Sequence, residues 1–214
     1  MAIASVDSMV SDRDLLVFMR VIGDGDRAAS MQLLATSPTL AIAQLRNGGT
    51  RTTAEEFFLS ERHMQLYAGD TALHVAAASY DTALARKLME SGADVRSKNR
   101  RGAQPLHAAV IGAPGASSWA PRQVEVIRYL IEAGADPEAT AAGGVTPLLR
   151  AVRNRCSAAV RALLDAGVDP HRTNDNGSSA LALARLTTGR GGTGLPEAKA
   201  EQARIIQMLE STGR

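Results

Sequence analysis

The sequence predicts an all-α solenoid: helix-turn-helix units stacked along one axis, with β-hairpin-like fingers projecting between them. Three observations point there. A glycine-led hexapeptide recurs at Gly69, Gly102, Gly144 and Gly177, with starts 33, 42 and 33 residues apart. A second anchor, Gly92-Ala-Asp94, Gly134-Ala-Asp136 and Gly167-Val-Asp169, keeps the spacing of 42 and 33. Between the anchors run apolar stripes at helical spacing: Leu84, Leu88 and Met89; Val126, Ile127, Leu130 and Ile131; Val160, Leu163 and Leu164. One such unit cannot bury its own stripe, so neighbours must stack to make the core.

The elements follow in order. Residues 1–68 read as a divergent N-terminal cap, with a helix pair over Asp12 to Ala35. Leu15, Leu16, Phe18, Met19 and Ile22 form its first stripe, Gly23-Asp-Gly25-Asp26 its turn, and Met31, Leu33 and Leu34 its second stripe. Pro38 to Leu66 is expected to be an irregular second unit with a loop at Asn47 to Thr50. A short helix is expected over Ala54 to Ser60, its Phe57, Phe58 and Leu59 covering the first full repeat. Four repeats are then expected at 69–101, 102–143, 144–176 and 177–214, the second and fourth carrying insertions. Thr71 and Thr146 are N-cap types, able to accept an orphan amide of the first turn. Pro105 and Pro147 occupy the first helical position, where a missing N–H costs nothing. The alanines at 76, 77, 108, 109 and 151 let helices approach closely. Gly92, Gly134 and Gly167 end the second helices as left-handed residues, and the aspartates after them start the fingers. Ala203 to Leu209 reads as the last second helix.

The hexapeptides, as Gly69-Asp-Thr-Ala-Leu-His74, Gly102-Ala-Gln-Pro-Leu-His107 and Gly144-Val-Thr-Pro-Leu-Leu149, resemble the ankyrin repeat. The resemblance covers 146 residues, from Gly69 to the end. Tyr67 to His74 and Thr187-Thr-Gly-Arg-Gly-Gly192 are also similar to small stand-alone bacterial ankyrin proteins, a likeness that brings no assigned activity. The resemblance implies that a partner lies in the concave groove between finger tips and first helices. By register it puts Tyr67, Asp70, Ser79, Lys98, Arg100 and Arg101 on that side. Val145, Arg150, Arg153, Asn154 and Asp175 join them. It also gives His74 and His107 the repeat's own histidine position, where the imidazole ties one turn to the next.

Composition narrows the function. Of 214 residues, 45% are apolar and 21% charged, as in folded proteins. Aromatics at 3% disfavour a stacking platform for single-stranded nucleic acid. The single cysteine, Cys156, excludes an internal disulfide and a cysteine-based structural zinc site. Asp7, Asp12, Arg13 and Asp14 interrupt any secretory signal, and no run approaches a membrane span, so cytoplasmic location is expected. Net charge is only +2, yet Arg96 to Arg128 holds six basic residues against one acid, and Val145 to Arg161 four arginines and none.

No catalytic constellation emerges. The four histidines, His63, His74, His107 and His171, lack metal-ligand spacing, so no metal or cofactor is expected. Gly189-Arg-Gly-Gly-Thr-Gly194 matches Gly-x-Gly-x-x-Gly but lacks the strand-turn-helix setting of a dinucleotide site. A flexible connector is the favoured reading, and a modest anion or enzymatic site around Arg190 the alternative. Cys156 follows Arg153 and Arg155 in sequence, but has no histidine nearby and falls at a turn, favouring a packing role. Trp119, in the insertion Gly112 to Pro121, either caps the apolar seam or anchors a partner. The expectation is a non-enzymatic module, monomeric by default, that binds another protein through an acidic segment in a basic groove. Nucleic-acid binding by the arginines is the other alternative.

Overall fold

The computed structural model describes residues 10–112, 119–186 and 195–212. Its helices come in pairs: α1 (Asp12–Asp24) with α2 (Arg27–Thr36), α3 (Ala72–Ala78) with α4 (Thr82–Glu90), and α5 (Pro105–Ala109) with α6 (Ala120–Glu132). Then come α7 (Pro147–Arg153) with α8 (Ser157–Asp165), and α9 (Ala180–Arg185) with α10 (Pro196–Ser211). The odd helices pack in series, α1 on α3, α3 on α5, α5 on α7 and α7 on α9, and the even helices pack likewise. Two layers result, sharing one apolar core from Leu15 to Leu209. The interface alanines of α3 and α5 are almost fully buried, as close approach requires.

Local chemistry starts and stops each helix. The Ser11 hydroxyl accepts the Asp14 amide at α1, and the Thr146 hydroxyl accepts the Leu149 amide at α7. At α3 the cap is reversed: the Thr71 amide donates to His74 Nδ1 at 3.1 Å, while His74 Nε2 bonds the Ala103 carbonyl oxygen of the next repeat at 3.1 Å. His107 repeats the device between the Gln104 amide and the Val145 carbonyl oxygen. Gly92, Gly134 and Gly167 have φ of +95°, +96° and +83°, ending α4, α6 and α8 in left-handed turns. In α4 the Ala93 amide reaches back to the Leu88 carbonyl oxygen to close the motif.

The segment between α2 and α3 departs from the expected short helix. A 3-10 turn spans Pro38–Ala41, and Leu45 exchanges backbone hydrogen bonds with Gly69 and Asp70. Between these points β1 (Phe58–Leu59) and β2 (Met64–Gln65) pair antiparallel, Phe58 opposite Gln65 and Leu59 opposite Met64. Phe57 and Leu59 are buried while Phe58 is exposed, the period of a strand. The hairpin lies against α1: Leu59 contacts Gly23, Arg62 Nε donates to the Gly23 carbonyl, and Arg20 donates to that of Glu56.

Candidate partner-binding groove

The groove edge is built from finger tips. Asn99 Oδ1 accepts the amides of Arg101 and Ala103, and Asn174 Oδ1 those of Asn176 and Ser178, so each asparagine holds its tip in a tight turn. One backbone hydrogen bond then joins each tip to the next. The Arg100 amide donates to Ala68 O, that of Ala142 to Arg101 O, and that of Asp175 to Gly143 O, at 2.7, 2.7 and 3.1 Å. Gly69 permits close approach, because a Cβ there would lie 2.8 Å from Lys98 O and Asn99 Cα.

Four arginines gather at this edge. The Tyr67 ring has the Arg100 guanidinium 5.1 Å and the Arg101 guanidinium 5.5 Å from its centroid. Arg100 Nη2 also donates to the Gly49 carbonyl oxygen, tying the tip to the inserted segment. From α7, Arg150 is half-buried and Arg153 exposed. Arg150 Nη1 donates to the His107 carbonyl oxygen at 3.4 Å, its one hydrogen bond among the described residues. Burial first, then the charges of Arg101 and Arg153, push its pKa down to about 10. Among the described residues, none of these four arginines forms an ion pair.

The other expected groove residues divide. Lys98 and Asp175 are exposed, and Val145 and Asn154 are half-buried, Asn154 reaching the Val110 carbonyl oxygen. Asp70 and Ser79 are corrections, because both are buried. The Asp70 carboxylate turns inward to accept the Tyr67 amide at 2.7 Å and the Asn99 side-chain amide at 2.8 Å. The Ser79 hydroxyl faces the Ile22 carbonyl oxygen at 3.4 Å. All of α3 and α5 is buried, so these two helices lend no accessible side chain to the groove.

Several structural residues escaped the sequence reading. Arg155, with φ +59°, is buried and donates to the carbonyl oxygens of Ala184 and Leu186, at the C-terminal end of α9. Tyr80, with φ +54°, bonds the Ile111 carbonyl oxygen and accepts from Gln123. Cys156 is buried nearby, and burial pushes its thiol up to about 12, so it is not an activated nucleophile. Trp119 lies outside the apolar core, 40% exposed, with Arg122 and Arg62 at 5.5 and 5.9 Å from its ring. The Gly189 to Gly194 loop lies outside the described residues.

Among the described residues, no three His, Cys, Asp or Glu side chains come together as metal ligands. No described helix is long and apolar enough to cross a membrane. A cleft of about 400 Å³ lies between α8 and α10, and its Arg204 already pairs with Glu201 at 2.5 Å.

Comparison with known proteins agrees with the helix pairs and fingers. A profile of ankyrin repeats in three copies matches residues 40–141, and one of ankyrin repeats in many copies matches 124–184. The mouse (Mus musculus) ankyrin repeat and SOCS box protein 16 is 39% identical over 115 residues, which is 53% of this chain. The match takes in 25% of that relative, so the chain spans only part of its length. With repeat profiles running from residue 40 to residue 184 over stacked helix pairs and left-handed glycine turns, the chain belongs to the ankyrin repeat family.

Proposed function

We propose that this ankyrin solenoid is a non-enzymatic binding module whose concave edge takes an acidic segment of another protein. Ankyrin repeats generally mediate protein–protein interaction, which supports the class of function. The observation that carries the finer reading is the set of Arg100 and Arg101 over Tyr67, with Arg150 feeling the charges of Arg101 and Arg153, none of the four with a carboxylate ion-pair partner among the described residues. Arginine suits such a surface, because its planar fork pairs bidentately with carboxylate and it is enriched at binding hot spots. Tyr67 supplies the rigid aromatic surface that such hot spots also favour. Burial of α3 and α5 leaves the finger tips and α7 to supply the side chains of this edge.

The test is affinity capture from native lysate with wild type and an Arg100→Glu, Arg101→Glu, Arg153→Glu variant of matched thermal stability. A protein retained by wild type and lost from the variant is the expected result. Equal retention by both removes the arginine edge from the binding surface.

A further inference from the structure

Resting on that reading, we propose that Arg150 is the anchor of an oxyanion subsite, taking one side-chain carboxylate of the acidic segment while Arg101 and Arg153 meet flanking acids. Its surroundings set Arg150 apart from the other three. Arg100 is spent on Tyr67 and the Gly49 carbonyl, Arg101 stacks on Tyr67, and Arg153 is exposed to solvent. Arg150 is half-buried on α7, and among the described residues only one of its five N–H donors finds a protein acceptor, at 3.4 Å.

The carboxylate that could neutralise it from within is engaged elsewhere. Both oxygens of Asp70 accept hydrogen bonds from the Tyr67 amide and the Asn99 side chain. Asp70 still favours the Arg150 cation through its charge, but burial and the like charges of Arg101 and Arg153 outweigh it and lower the Arg150 pKa. A partly desolvated cation beside like charges weakens the free protein, because its lost hydration is not replaced. An incoming carboxylate supplies the missing acceptors, and the desolvation cost has already been met in the folded chain. The fork geometry selects a planar anion that accepts two parallel hydrogen bonds.

Two measurements test the subsite, both with hexaglutamate as the probe at about 50 mM salt, where screening is modest. The first is calorimetric titration of wild type, Arg150→Lys and Arg150→Leu. Arg150→Lys keeps the charge but loses the fork, and binding is expected to weaken about tenfold. The second is the thermal midpoint of each free protein. Removing an unneutralised cation is expected to raise the midpoint of Arg150→Leu, while its hexaglutamate binding falls further. A lowered midpoint with intact binding would make Arg150 a structural cap on α5 and overturn the proposal.

Other outcomes separate the two readings. Binding by wild type that Arg150→Lys leaves unchanged, but Arg101→Gln and Arg153→Gln weaken, refutes the subsite and leaves the acidic-segment reading standing. Absence of hexaglutamate binding by wild type refutes both. A phosphoserine hexapeptide of matched charge that binds about tenfold tighter than hexaglutamate would replace carboxylate by phosphate as the anion recognised. Should neither lysine nor leucine fold at position 150, the Arg150 Nε–H resonance of wild type reports directly. It shifts on titration if the subsite fills and stays fixed if it does not.

Discussion

Mild acid is expected to loosen the stack through one residue, His107. Its imidazole is fully buried, Nδ1 accepting the Gln104 amide at 3.2 Å and Nε2 bonding the Val145 carbonyl oxygen at 3.1 Å. This pattern assigns the neutral ring with its proton on Nε2, since a second proton on Nδ1 would face the Gln104 N–H. Burial first, and the Arg150 charge second, hold its pKa down at about 3, against 6.5 for the free side chain. The folded state therefore binds fewer protons than the unfolded chain throughout that interval. The stabilising contribution is complete above pH 6.5 and is lost as the pH falls toward 3. Between pH 7 and pH 4.5 the loss is about 2.5 kcal/mol, a sizeable part of the roughly 5–15 kcal/mol that holds most domains folded. The assay is urea unfolding followed by helical circular dichroism at both pH values, for wild type and His107→Gln. Glutamine cannot titrate, so carboxylates and the other histidines cancel in the comparison. Wild type should lose about 2.5 kcal/mol more than the variant over the interval. Equal losses would show that His107 is free to accept a proton in the folded chain, refuting the argument.

Other predictions concern the turns and the thiol. Gly167 and Gly69 share a left-handed backbone, with φ of +83° and +86°, but only Gly69 has backbone atoms where a Cβ would stand. Gly167→Ala should cost about 1–2 kcal/mol, and Gly69→Ala at least about 1 kcal/mol more, by denaturant midpoint. Arg155→Ala should destabilise by about 1–2 kcal/mol through lost bonds to α9. Arg155→Gly should be milder, because it relieves the left-handed φ of +59°; the reverse order in thermal melts would exclude strain there. Cys156 should resist thiol reagents at pH 8 until the protein unfolds, and rapid labelling of native protein would contradict its burial.

The stacked pairs were legible because each leaves a signal within a few residues of itself. A left-handed turn selects glycine at 92, 134 and 167, a helix start selects proline at 105 and 147, and a buried face selects leucine at helical spacing. Direction of a side chain at a finger is a different matter. Asp70 and Ser79 occupy groove positions by register, but the Tyr67 amide and Asn99 draw the Asp70 carboxylate inward, and Ser79 meets α1. Asn99 and Ile22 lie 29 and 57 residues away along the chain, so no local pattern announces them. Ala54 to Ser60 failed for a related reason. Seven residues hold too few periods to separate helix from strand, and pairing with Met64 and Gln65 decided it. Arg155 carried no signal at all, since an arginine in a turn ordinarily reads as solvated charge. The arginine cluster was readable as composition, while the burial that sets Arg150 apart was not.

Adjacent finger tips share one backbone hydrogen bond each, with a few side-chain bonds such as Asn99 to Asp70 and Arg172 to Glu138 beside it, whereas the helices beneath them share a continuous apolar core. The two edges of the stack therefore differ in stiffness. Separating adjacent tips gives up about 0.5–1.5 kcal/mol per bond, but separating adjacent helices would expose several leucines and alanines at once. The tip edge is therefore the softer of the two. The stack thus bends like a book held at its spine, and its curvature can adapt to whatever is laid against the open pages.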